Sequence, residues 1–168
     1  MRALVAILAL IVALAVQTTL AALSHDGTAV VDLVLVLSVY IAVTSGAGAG
    51  LLTATVAGLL QDSLSSGILG IGALAKTIAA YLAGVASTQF ILNGIAQRFF
   101  TFFLATVAHA VIFIGLYTLL DLRTFQSPAV GVLTQAVGNG LVGVIGFQIA
   151  EWLPGFLARR RATRPLRR

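Results

Sequence analysis

VVDLVLVLSVYIAVTSGAGAGLLTATVAGLLQD, residues 30 to 62, carries no charge between Asp32 and Asp62 and no alternating polar pattern. As one helix it would be far too long for a bilayer core without strong tilt. As two, each of about 15 residues, both halves fall just short of the ~17-residue lower limit for an upright span. The Thr-Ser-Gly-Ala-Gly stretch from Thr44 favours a turn, because glycine loses the most conformational freedom in a helix. Two short helices are expected; a single bent one is the open alternative.

The rest of the chain has the same character. Of its 168 residues, 60% are hydrophobic and 9% charged, and the mean hydropathy is +1.08. A soluble domain carries roughly 25% charged residues, so there is too little polar surface here to coat a water-soluble globule. Charge-free runs at 3–24, 33–61, 77–97, 99–120 and 124–150 reach or exceed the ~20 residues that cross a bilayer core. Backbone groups in hydrocarbon must be satisfied within the chain, and strand patterns are absent, so the runs are helices. The expected architecture is an all-α membrane protein, a bundle of six transmembrane helices. The fourth is placed at about 70–88, the fifth at 99–120 and the sixth at 129–152, with Leu153 and Pro154 ending it. The first run, at about 3–23, also looks like a secretory signal. Further spans follow it, so it is expected to stay as the first helix.

Charge distribution gives the topology. Six of the ten basic residues are Arg159, Arg160, Arg161, Arg164, Arg167 and Arg168. A basic block just after a span marks a cytoplasmic end and can meet anionic lipid headgroups. The chain therefore divides into a transmembrane domain, 1–158, and a basic tail, 159–168. With six spans, both termini lie in the cytoplasm, and Asp26, Asp32, Asp62 and Asp121 lie at or near the outer surface. No basic face outside the tail suits nucleic acid, and the absence of cysteine excludes disulfides and thiolate metal sites.

Within the opening stretch, Gly46, Gly50, Ala54 and Gly58 recur at i+4 and lead to Asp62. Small residues at this spacing let helix backbones approach closely in a membrane. The ladder is a candidate interface for a partner's helix, or packing within the bundle. An i+4 row drifts by about 40° per step, so its two ends can face different neighbours. A second ladder joins Gly72, Lys76, Ala80 and Gly84. Lys76 lies about two turns inside the fourth helix, where an unpaired lysine costs about 1–3 kcal/mol. It can snorkel or pair with Asp62 or Asp32; Asp62 is the expected partner. His109 falls mid-span in the fifth helix, with Gln135 and Asn139 as its expected hydrogen-bonding partners beside Thr106 and Thr77. The aromatics of RFFTFF and Trp152 read as an interfacial belt.

Catalytic signatures are missing: there is no GxxxxGK, HExxH or GxSxG. Asp62 has no second intramembrane aspartate, and the acidic residues are too scattered for a divalent-metal transfer site. Neither an enzyme nor a cofactor is expected.

DLVLVLSVYIAVTSGAGAGLLTATVAGLLQDSLSSGILGIGALAKTIAAYLAG, from Asp32 to Gly84, resembles the central region of the rod shape-determining protein MreD family. The shared features are an Asp-Leu opening to helix two, a glycine-broken turn, a Gly-Leu-Leu…Asp…Ser-Gly helix three and an Ala-Leu…Thr…Tyr-Leu-Ala-Gly helix four. FFLATVAHAVIFIGLY and VLTQAVGNGLVGVIGFQIAEWLP match the last two helices in character. Val31 and the uncharged TSGAG depart from the family's proline and basic turn. The resemblance implies a non-enzymatic inner-membrane component of the rod complex, or elongasome, which directs lateral peptidoglycan synthesis and rod cell shape. Its implied partners are MreC directly, then MreB and RodA with its transpeptidase. It also implies similarity in fold to the substrate-binding subunits of energy-coupling-factor transporters. That similarity supplies the alternative, a vitamin- or small-molecule-binding transporter subunit. Such a subunit would need a polar or aromatic outer pocket, and SHDGTAV brings no aromatic residue to cover a ligand.

Overall fold

The computed structural model describes residues 2–23, 31–65, 67–89, 94–122 and 128–162. They form six α-helices: α1 (Arg2–Leu23), α2 (Leu33–Ser45), α3 (Ala47–Leu64), α4 (Ile71–Gln89), α5 (Ile95–Leu119) and α6 (Pro128–Ala162). The protein is an all-α membrane protein. Three helical segments, Ile71–Gln89, Ile95–Leu119 and Pro128–Trp152, are long and apolar enough to cross a bilayer by length and composition.

The stretch from 30 to 62 is two helices, and one residue separates them. Gly46 holds φ +100°, a backbone conformation that favours glycine. Its N–H donates to the Ala42 carbonyl at 3.0 Å, closing α2, and its own carbonyl accepts from Gly50 at 3.2 Å, opening α3. At 1.5 Å per residue, the 13 residues of α2 extend only about 20 Å. A helix that short is buried by its neighbours rather than by lipid: α2 touches all five other helices. Val34, Leu35, Val39 and Ala42 are at most 1% exposed.

Two boundaries differ from the sequence reading. α5 begins at Ile95 rather than near Phe99, because Gly94 is extended and starts the helix ahead of Arg98. α6 does not stop at Pro154 but continues to Ala162. A proline deletes one backbone hydrogen bond and kinks a helix; here the turns beyond it stay helical. Arg159, Arg160 and Arg161 thus fall on the final turns of α6, whereas Arg164, Arg167 and Arg168 lie outside the described residues, as do His25 and Asp26.

The glycine ladder is occupied within the chain. A Cβ on Gly50 would collide with Ala42 on α2, and one on Gly58 would lie 2.6 Å from Ala73 Cα on α4. Ala54 between them is fully buried. The row turns from one neighbour to the next, as its drift requires. On α4, a Cβ at Gly84 would meet Ala47 Cα at 2.6 Å. These contacts correct the expectation that Gly50, Ala54 and Gly58 receive a partner's helix, since α2 and α4 already cover them. Gly46 is exposed, but it is the turn. Between α5 and α6 the small residues serve aromatic rings instead. Gly140 receives Phe99 and Gly143 receives Phe102. Phe102 is therefore a core residue, 2% exposed, and not part of an interfacial belt.

Candidate functional site: a charged hub at the buried start of α2

A helix begins with backbone N–H groups that have no partner inside it. α2 begins inside the bundle, where those donors cannot reach water. Three side chains take those of Asp32, Leu33 and Leu35. The Asp32 carboxylate, at the N-cap, accepts from Leu35 N–H through Oδ1 at 3.0 Å. Gln17 on α1 accepts from Leu33 N–H at 2.9 Å and donates to the Val31 carbonyl at 3.0 Å. Asn139 on α6 accepts from Asp32 N–H at 2.8 Å. Its amide donates in turn to the Thr106 hydroxyl on α5 at 3.0 Å, and that hydroxyl donates to the Phe102 carbonyl at 2.8 Å.

The cap brings a negative charge into the interior, and α4 supplies the balance. Lys76 Nζ lies 2.9 Å from Asp32 Oδ2, with both side chains at most 6% exposed. Along its helix, Lys76 is about 8 Å from the start of α4, and Asn139 about 16 Å from the start of α6. At such depth an ion cannot be left alone; a buried charge must be paired and hydrogen-bonded. The hub thus joins α1, α2, α4, α5 and α6 through one paired charge and a chain of amide and hydroxyl contacts.

This geometry corrects the expected Asp62–Lys76 pair. Asp62, near the end of α3, accepts from Gly70 N–H at 2.9 Å and Ala73 N–H at 3.0 Å. It caps α4 from outside, and its Oδ1 packs where a side chain on Gly72 would stand. With two backbone donors on one oxygen, it answers the N-terminal dipole of α4 and leaves Lys76 to Asp32.

The predicted polar contacts of His109 are also redistributed. Asn139 is taken by Thr106 and Asp32, and Thr77 bonds Thr55 across α3 and α4 at 2.9 Å. Neither ring nitrogen of His109 has a hydrogen-bond partner. Its ring stacks on Phe113, with centroids 5.8 Å apart. Gln135 is half-buried on α6 and forms no bond to that ring.

A second ion pair, which the sequence reading did not anticipate, sits at the other end of the bundle. Arg98, at the start of α5, reaches Glu151 on α6 through two hydrogen bonds of 2.8 and 2.7 Å. Its guanidinium also lies 4.2 Å from the Phe147 ring centroid. The signal was available: Arg98 and Glu151 occupy mirrored positions in two antiparallel helices that pack along their length. Among the described residues no cluster of His, Asp or Glu could hold a metal ion.

A family model for the rod shape-determining protein MreD matches residues 1–145. The chain belongs to the MreD family. The matched span contains every hub residue, from Gln17 to Asn139, and stops before Glu151. Comparison with curated proteins and with solved structures gave no match. MreD membership carries a role in determining rod shape, and the family is one of structural membrane proteins.

Proposed function

We propose that this protein is a non-enzymatic inner-membrane scaffold of the rod complex, binding MreC and so helping to direct lateral peptidoglycan synthesis. The family match over residues 1–145 carries the reading. The structure supports a binding role in one respect: the hub's side chains and the glycine ladder serve internal partners, while the outward helix faces are apolar. Both termini are cytoplasmic in this reading, and the arginines from Arg159 onward meet anionic lipid headgroups. MreB, RodA and its transpeptidase join through the wider assembly.

With the ladder covered, MreC's single transmembrane helix needs another seat. The cleft between α4 and α5, about 490 Å³, has a floor of small residues, Ala79, Ala83 and Ala105. Such a floor admits a helix backbone closely. The test is co-purification of MreC from a rod-shaped host depleted of the native protein. Filling the cleft with Ala86→Leu should lower the recovered MreC and round the cells, while Val12→Leu on the exposed face of α1 should do neither. MreC recovery undiminished by Ala86→Leu removes the cleft from the account. Unchanged rod shape on depletion, with a vitamin in the purified protein, favours the transporter subunit instead.

A further inference from the structure

The cleft between α4 and α5 opens sideways and is limited in depth. Leu82, Phe100 and Leu104 line it and are 50%, 57% and 60% exposed, so it faces the hydrocarbon around the bundle. Its lining runs from Ser87 and Gln97, near the end of α4 and the start of α5, to Ala79 and Ala108, near the middle of each helix. At 1.5 Å per residue this is about 12 Å along α4 and about 17 Å along α5. One leaflet of a bilayer core is about 15 Å deep. A spanning helix crosses both leaflets, whereas the chain of a lipid crosses one. The lining is neutral as well: among the described residues no charged side chain contributes to it. Arg98, next to Gln97, is turned to Glu151 on α6. The Ser87 and Thr101 hydroxyls donate to the carbonyls of Gly84 and Gln97 at 2.7 and 2.8 Å, so both protons are spent within their own helices.

We propose that in the free protein this cleft binds one acyl chain of a phospholipid, and that MreC's helix displaces the chain on arrival; the displacement, but not the lipid site, rests on the MreC seat proposed above. The lipid comes from the leaflet on the side of the α4–α5 connection, the cytoplasmic one in the orientation given above. Alanines at Ala79, Ala83, Ala105 and Ala108 offer water no hydrogen-bonding partners, but they give a methylene chain dispersion contacts along its length. The polarity of the cleft matches that of a lipid: the neutral amide of Gln97 stands at its mouth and hydrocarbon lines its depth. With no charge at the mouth, the site selects the chain and not the headgroup.

The test uses the full chain in lipid nanodiscs, without MreC, and a phosphatidylcholine with a photoactivatable diazirine midway along one acyl chain. After irradiation, residues 79–87 and 96–108 should carry severalfold more label than the exposed face of α1 around Val12, which meets bulk lipid. Ala86→Leu, which narrows the cleft, should bring its label down to the α1 level, and Val12→Leu should leave the cleft label unchanged. Unlabelled phosphatidylglycerol and phosphatidylethanolamine should compete equally; competition by one of them alone overturns the selection for hydrocarbon. Adding MreC should lower the cleft label and spare that on α1. Cleft label at the α1 level in the parent overturns the lipid site and leaves the MreC seat standing. MreC bound with the cleft label undiminished overturns the displacement. The parent's labelling needs no substitution, so it decides even if Ala86→Leu fails to fold.

Discussion

Among the described residues the bundle holds two ion pairs, one at each end, and they are built for different surroundings. Asp32–Lys76 has both side chains at most 6% exposed, and each partner is tied to a helix start or a helix interior. Arg98–Glu151 has the shorter contact, 2.7 Å, yet the Glu151 side chain is 50% exposed. Distance does not rank them. The first pair exists because a short helix begins inside the protein and its cap must be charge-balanced. The second joins the ends of two long helices where Arg98 is buried but solvent reaches the Glu151 side of the pair. Pair energies follow from what replaces a lost partner: nothing at the hub, water at Glu151.

The comparison predicts a descending series of stabilities, measured by unfolding in detergent or nanodiscs. Lys76→Met leaves the Asp32 carboxylate buried and unpaired and should cost about 3–5 kcal/mol. Gly58→Ala sets a methyl 2.6 Å from Ala73 Cα; backbone cannot swing aside as a side chain does, so the cost should be about 1–3 kcal/mol. Glu151→Gln keeps a hydrogen-bonding group beside Arg98 in a half-solvated site, and should cost no more than about 1 kcal/mol. A Glu151→Gln loss equal to that of Lys76→Met would break the distinction between the two ends.

Much of this was legible in the residues, for definable reasons. Helix number follows from apolar run length, and the break at Gly46 from glycine clustered between two runs too short to be upright spans. The need of Lys76 for a counter-charge follows from its depth alone. Which aspartate answers it does not, because Asp32 and Asp62 lie at the same end of the bundle and only packing distinguishes them. In retrospect Asp62 had a local competitor for its charge: a helix start at Gly70–Gly72, eight residues on, whose N–H groups a carboxylate can reach. Gln17 and Asn139 carry no sequence mark of their tasks, since each bonds backbone 14 or more residues away in the chain. The depth of His109 was readable but its azimuth was not, so its expected partners were residues that proved to be bonded elsewhere. The ladder's spacing correctly indicated close helix approach; whether the approaching helix is the chain's own was beyond the pattern.

Asp32 and Lys76 are held together by mutual need, which a double-mutant cycle separates from the worth of either residue alone. Asp32→Asn keeps a good N-cap acceptor, and Lys76→Met keeps the apolar stem without the charge. Each single change strands a buried partner. Asp32→Asn with Lys76→Met should be more stable than the less stable single variant by about 2 kcal/mol or more. A double variant whose loss equals the sum of the two singles would contradict it.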